Sequence, residues 1–346
     1  MNKSQYIIPV ISIFILVALS SSLMKKNNFI ANQSDKIKGL TVVAPPEPFP
    51  RDPMIEIKNV NANWIAVIPY AFTPFGEPTV RYNQNGWQWW GERPEGIIET
   101  VTKAHQSQIS VMLKPQVYIH NSWVGYLDFK TEEEWLQWES KYEEYISTMV
   151  DIAIQNKIEL FCIGTELNIS VVKREKFWRK LIQNIRSRYN GKLSYCSNWD
   201  RYEEVGFWEE LDYIGISAYF PLREEINPTK ESLMEAWKPI VAKLKLFSES
   251  KHKKILFTEY GYLSVDGCAG KLWEIEPLVK QKAVNQKAQA DALDALYSSF
   301  WNEDFWAGGF LWKWFPHGKG HEEYIERDYD PQNKLAEKTI KHWFSK

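Results

Sequence analysis

Residues Leu160–Asn168 read LFCIGTELN, a short apolar run that stops at a carboxylic acid, Glu166, with an amide two places on. Residues Ile255–Leu263, ILFTEYGYL, repeat the arrangement with Glu259. Short apolar runs bounded by turn residues read as buried strands. By period-two alternation Leu160, Cys162, Gly164 and Glu166 share one side of their strand, and Ile255, Phe257 and Glu259 form the matching inward set. Each acid then stands at or near the end of a strand.

Working outward, strand-like runs recur at 39–45, 64–72, 110–119, 159–166, 192–199, 213–220, 254–262 and 308–315. Helical patterns separate them at 94–108, 131–156, 174–190, 231–250 and 281–301, with shorter ones near 52–60 and 202–210. The run from Thr131 shows the quality of the signal. Thr131 and Glu134 have capping-box spacing, and Trp135, Trp138, Tyr142, Tyr145, Ile146 and Met149 follow at helical period. A last helix, KLAEKTIKHWF, follows the eighth strand as a C-terminal cap. Strands alternating with helices build a parallel sheet, and eight strands close it into a (β/α)8 TIM barrel over residues 39–346. That span is longer than the roughly 250 residues of a typical barrel, so the loops are long and one domain suffices.

In such barrels the chemistry sits at the C-terminal ends of the strands. Glu166 ends the fourth strand and Glu259 lies late in the seventh, across the barrel mouth. One glutamate at a strand end is explained equally well by an ion pair or a helix cap. Two that share a pocket are costly unless one keeps its proton while the other ionises. Cleavage of a glycosidic bond needs such a pair: an acid for the leaving oxygen, and a carboxylate for the anomeric carbon or for water.

GTELN on the fourth strand and TEYGY on the seventh resemble the clan A glycoside hydrolases, retaining enzymes on a (β/α)8 barrel. The surrounding sequence is most similar to glycoside hydrolase family 113, whose known members are endo-acting β-1,4-mannanases. VMLKPQV, SNW, GISAYFPL and GGFLWKWFP carry the resemblance through the remaining strands. It implies Glu166 as general acid/base and Glu259 as nucleophile, with no cofactor. The chain departs from the clan at Thr165, where most members carry an asparagine that contacts the sugar 2-hydroxyl.

Further substrate contacts are expected around the two acids. Tyr219, near the end of the sixth strand, is placed to donate its hydroxyl to Glu259, as the equivalent tyrosine does in similar enzymes, the competing reading being a core tyrosine. Trp199, Trp312 and Trp314 are candidate sugar platforms, Trp312 resembling the clan position under the sugar being cleaved. For Trp314 the competing reading is core packing. Asn198 is either a hydroxyl donor or a turn residue. Lys114 and Gln116, ending the third strand, suit hydroxyl recognition, although Lys114 equally suits pairing with a neighbouring acid. The loop RYNQNGWQWWGERPEG, with Trp87, Trp89 and Trp90, reads as a cleft wall or as packing on the barrel rim.

Composition narrows the alternatives. With 44% hydrophobic and 25% charged residues and a net charge of -2, the 346-residue chain is neither disordered nor a nucleic-acid coat. Its 17 tryptophans are more than usual; most of the aromatics are expected to fill the core and the helix-sheet seams, and part of the excess suits a surface that stacks on flat ligand faces. Cys162, Cys196 and Cys268 form no disulfide framework or zinc spacing, and the six histidines include no HExxH pattern, so no metal is expected. The closest histidine pair is HGKGH near the end of the chain.

Residues 1–24 have a lysine, an apolar stretch from Tyr6 to about Leu19 and small residues after it, the layout of a signal peptide or N-terminal membrane anchor. The apolar part is short of the roughly 20 residues of a comfortable span. Residues 25–38 read as a tether, and the protein is expected to be exported, whether secreted, periplasmic or membrane-anchored, and monomeric. The expected function is a metal-independent retaining glycoside hydrolase acting on β-mannan, its partner a polysaccharide or oligosaccharide. The alternatives are another clan A β-glycosidase for glucan, galactan or oligosaccharides, and a catalytically inactive carbohydrate-binding barrel. A metallohydrolase on the same barrel is weakened by the lack of histidines at strand ends.

Overall fold

Eight parallel strands close on themselves in this computed structural model, which describes residues 36–82, 86–316 and 324–346. The expected leader at 1–24, the tether as far as residue 35 and the HGKGH loop lie outside the described residues. The strands are β1 (Ile37–Val42), β2 (Trp64–Val67), β3 (Tyr70–Phe72), β4 (Ser110–Leu113), β5 (Gln116–Tyr118), β6 (Leu160–Thr165), β7 (Lys192–Asn198), β8 (Tyr213–Ser217), β9 (Ile255–Tyr260) and β10 (Trp306–Trp314). Around the barrel the order is β1, β10, β9, β8, β7, β6, β4, β2, and β2 pairs back onto β1.

The second and third expected strands each divide in two, and proline is the reason. Pro69 and Pro115 have no N–H for the ladder, so the barrel ends at Val67 and Leu113. The outer pieces, β3 and β5, pair in parallel as a small sheet beyond the barrel, Tyr70 beside Gln116 and Phe72 beside Tyr118. The first strand starts at Ile37, two residues before its expected start.

The helices are α1 (Met54–Asn59), α2 (Pro94–Gln106), α3 (Glu132–Gln155), α4 (Asn168–Lys173), α5 (Glu175–Arg186), α6 (Lys230–Lys251), α7 (Leu272–Ile275), α8 (Gln286–Phe300) and α9 (Leu335–Phe344). The α3 capping box forms as its sequence implies: Glu134 N donates to Thr131 Oγ1 at 3.2 Å and Thr131 N to Glu134 Oε2 at 3.0 Å. The short helix α4 has no counterpart among the expected elements, and the expected helix at 202–210 is two separate 3-10 turns. The terminal helix α9 joins the outer ring, with Trp343 against Tyr297 and Trp301 and its indole N–H donated to Asp294 at 2.8 Å.

Two apolar layers result. Ile37, Trp64, Ala66, Met112, Leu160, Cys162, Cys196, Leu256 and Phe310 fill the barrel, and a larger cluster lies between barrel and helices. Both strand cysteines are buried free thiols inside the barrel, as expected of small hydrophobes. Burial pushes the Cys162 thiol up to about 12, so it is neutral at physiological pH.

Residues 328–334 are held in place by buried polar contacts. Lys334 Nζ donates to the Asp328 carbonyl at 2.8 Å and to Asp330 Oδ1 at 3.0 Å, while Gln332 exchanges two hydrogen bonds with the Phe315 backbone. Gln289 Nε2 ties the carbonyls of Tyr262 and Tyr329 together, each at 2.9 Å.

Candidate active site

Strict alternation does not deliver the two carboxylates. In β6 the pairing slips by one residue, from Cys162 opposite Ser194 to Thr165 opposite Cys196. Gly164, expected on the inner face, is turned toward the helices: a Cβ there would lie 2.8 Å from the Trp178 ring and 2.9 Å from the Tyr142 hydroxyl. The slip leaves carbonyls without ladder partners, and side chains supply donors. Tyr142 donates its hydroxyl to the Ile163 carbonyl at 2.8 Å, and the Cys162 thiol donates to the Gly164 carbonyl at 3.2 Å. Glu166 follows at φ 53°, the left-handed region, its N–H donated to the Cys196 carbonyl at 2.7 Å.

A second slip places Glu259. Ile216 faces Phe257, but Ser217 faces Glu259, so β9 carries one extra residue at Thr258. Leu256 points into the barrel, whereas Ile255 and Phe257 pack against the helices, contrary to the alternation expected from the sequence. The bulge reverses the phase and turns Glu259 toward the mouth, where its carboxylate meets Lys114 and Tyr219.

Lys114 Nζ lies 2.5 Å from Glu259 Oε2, with the lysine side chain fully buried and the glutamate 14% exposed. Burial alone would lower the Lys114 pKa, but the ion pair and hydrogen bond with Glu259 oppose it and favour the ammonium. Lys114 therefore pairs with an acid, one of the two readings its position allowed. Tyr219 donates its hydroxyl to Glu259 Oε1 at 2.7 Å, the role expected of it. Both Glu259 carboxylate oxygens are thus held.

Glu166 is held differently. Trp123 Nε1 donates to Glu166 Oε2 at 2.7 Å, and the Ser217 hydroxyl also reaches the carboxyl. Burial, and then the charge of Glu259, raise the Glu166 pKa, and the Ser217 and Trp123 donors only partly oppose this. One carboxyl is biased to keep its proton and the other is anchored to a cation, the division of labour that paired-carboxylate catalysis requires.

The other candidates separate. Trp312 is half-buried at the edge of the larger apolar cluster and remains a candidate platform. Trp314 is corrected to a packing residue. The β10 register slips between Leu311, opposite Leu40, and Trp314, opposite Val42, so Trp314 faces the helices and is 2% exposed. Asn198 donates to Asp200 Oδ1 at 2.7 Å while its carbonyl accepts from Arg201, the behaviour of a turn residue. Trp199 has one face covered by Trp273, the rings stacked 5.9 Å apart at 12°, so the more exposed surface of that pair belongs to Trp273. Gln116 is half-buried, with an Nε2 that finds no hydrogen-bond partner among the described residues. The aromatic loop is anchored by Trp90, which donates to Glu99 at 2.7 Å, and exposes Trp87 against Phe72.

Trp123 escaped the sequence reading because the loop HNSWVGYLDF carries no strand-end signal, and only the fold brings it over Glu166. Tyr329 escaped likewise; its ring stands edge-on to Tyr219 at 6.1 Å and its hydroxyl bonds Glu276. Among the described residues no three His, Cys, Asp or Glu side chains are grouped as a metal centre.

The model of glycoside hydrolase family 113 matches residues 47–334. Among solved structures, the family 113 β-mannanase of Alicyclobacillus acidocaldarius, in complex with ManMIm, superposes with a TM-score of 0.76 at 26% identity, covering 90% of this chain and 97% of that one. A second family 113 β-1,4-mannanase superposes with a TM-score of 0.75 at 23% identity, covering 90% of this chain and 99% of that one. A β-glucuronidase of Ruminococcus gnavus shares the fold alone, with a TM-score of 0.60 at 11% identity over 89% of this chain and 50% of its own. No curated protein sequence matches the chain.

Proposed function

Because the chain belongs to glycoside hydrolase family 113 and is therefore a glycoside hydrolase, we propose that it is an endo-β-1,4-mannanase acting by double displacement with retention. The observation that carries this reading is the unequal treatment of the two carboxyls: Glu259 fixed by Lys114 and Tyr219, Glu166 raised in pKa at the opposite side of the mouth. The substrate assignment draws on the β-mannanases that the chain resembles.

Glu166 gives its proton to the glycosidic oxygen while Glu259 attacks the anomeric carbon, leaving a glycosyl ester on Glu259. Glu166, now ionised, takes a proton from water as that water attacks the same carbon and releases Glu259. The reaction requires the two carboxyl groups at about 5 to 5.5 Å, without room for an intervening water. Tyr219 and Lys114 stabilise the charge that returns to Glu259 when the ester breaks. The N-terminal segment, read as an export signal or anchor, would place this activity outside the cytoplasm, on a polysaccharide too large to enter.

The test is a panel of mannan, glucan, xylan and galactan, with proton NMR of the first-formed product. Preferential release of β-configured manno-oligosaccharides supports the reading. A first product of α configuration removes Glu259 as nucleophile, and preference for another glycan removes the mannan assignment.

A further inference from the structure

Four consecutive strands of the barrel meet beneath the two carboxyls: Glu166 follows β6, Cys196 lies on β7, Ser217 ends β8 and Glu259 lies on β9. Ser217 and Cys196 are fully buried, and a polar group at that depth needs a partner. Resting on the glycosidase reading above, we infer that Ser217 is a positioning residue for Glu166, its hydroxyl set by the Cys196 thiol so that the acid stays aimed both as proton donor and as base.

Three observations converge. First, Ser217 is fixed on both sides in the ladder, standing opposite Asn198 of β7 and opposite Glu259 of β9. The next N–H, that of Ala218, is donated to the Glu259 carbonyl at 2.7 Å. Second, the Ser217 hydroxyl has two partners, the Glu166 carboxyl and Cys196 Sγ, the latter at 3.1 Å. Cys196 is tied to the acid as well, its carbonyl accepting the Glu166 N–H at 2.7 Å. Third, burial raises the Cys196 pKa, so the sulfur keeps its proton and serves as donor or as acceptor.

The pair thus adapts to either charge state of the acid. With Glu166 ionised, the thiol donates to Ser217 Oγ and the serine donates to the carboxylate. With Glu166 protonated, the serine hydrogen turns to the sulfur. Only hydrogens rotate, no proton changes atoms, and no member of the pair is left without a partner. The other titratable groups facing Glu166 are Glu259, Lys114, Tyr70 and Tyr195, the two tyrosines kept neutral by burial, and a substitution at Ser217 leaves all four in place.

The test compares a manno-oligosaccharide with the 2,4-dinitrophenyl β-glycoside of the same sugar, whose leaving group departs without a proton. Ser217→Ala should lower kcat/KM on the oligosaccharide about tenfold more than on the aryl glycoside. It also removes a donor that favours the ionised acid, so the basic limb of the kcat/KM profile should move up by about half to one pH unit. Cys196→Ala should move that limb the same way by less, and Cys196→Ser, which restores a partner for Ser217, should return it toward wild type. Adding Cys196→Ala to Ser217→Ala should shift it no further, because the thiol acts through the serine. A packing role would produce none of this, since damage to the β8–β9 ladder disturbs Glu259 and slows both substrates alike. A basic limb that stays put in Ser217→Ala, or equal losses on the two substrates, overturns the assignment while leaving the glycosidase reading in place. A wild type inactive on both substrates overturns both readings.

Discussion

Replacing Lys114 by methionine tests the frame of the site, because it removes the charge and keeps the length of a fully buried side chain. At the observed 2.5 Å the gross attraction to Glu259 is about 7 kcal/mol at an effective dielectric of about 20. Much of this is offset by the cost of burying the ammonium, which the methionine also abolishes. What remains is the Glu259 carboxylate, 14% exposed, without its cation, and breaking a buried pair on one side costs about 3 to 5 kcal/mol. Unfolding entropy of about 2.1 cal/mol/K per residue over the roughly 310 residues from Lys36 makes each kcal/mol worth about 1.5 °C, so Tm should fall by about 5 to 8 °C at pH 7. The control is Lys114→Met combined with Glu259→Gln, which leaves no buried charge behind and should recover most of the loss. Thermal unfolding followed by near-UV circular dichroism reads all three proteins. A single variant within about 1 °C of wild type, or a double variant no better than the single one, would refute the reasoning.

Three further outcomes are expected. Tyr219→Phe removes one charge-assisted hydrogen bond from Glu259, about 1.5 to 3 kcal/mol, so kcat on oligosaccharide should drop about 10- to 150-fold at nearly unchanged Tm; an unchanged kcat would mean the bond plays no part in the reaction. Glu166 has a folded pKa raised above its unfolded value, so its contribution to stability is full in acid and is lost as pH rises through the folded pKa. Glu166→Gln should therefore raise Tm at pH 7 to 8 with a gain that vanishes toward about pH 4, and kcat/KM of the wild type should decline over the same basic range; a gain that grows in acid would reverse the sign of the argument. Trp314→Ala should cost about 3 to 5 kcal/mol of stability, whereas Trp312→Ala should cost less stability and raise KM, a pairing that stability and steady-state assays on the two variants check directly.

Most of the barrel was legible because its signals are local. Apolar runs, turn residues and the Thr131 capping box are each visible within a few positions, and the strands and main helices follow from them. The two acids were legible for a different reason, since an ion pair or a helix cap explains one acid at a strand end but not two that face one pocket. The route by which they reach the mouth was not. Three strands, β6, β9 and β10, slip by one residue near their C-terminal ends, and a slip reverses every inference drawn from alternation beyond it. Glu259 reaches the mouth through such a slip, and Trp314 was misplaced by one. Contacts between distant loops, such as Trp123 on Glu166 or Tyr329 against Tyr219, leave no periodic trace at all. Lys114 shows the intermediate case: its pairing with an acid was among the readings, but the partner's identity required the closed barrel.

The tied-down stretch 328–334 links the history of the chain to its chemistry. Tyr329 abuts the phenol that holds Glu259, while Lys334 braces its own stretch through Asp328 and Asp330 and Gln332 fastens that stretch to Phe315. A chimaera joined just after β10 would thus import a foreign brace for Tyr219 along with its new tail. Recombination between relatives is better tolerated at a crossover earlier in the barrel, where β10, this segment and α9 travel together as one inherited block.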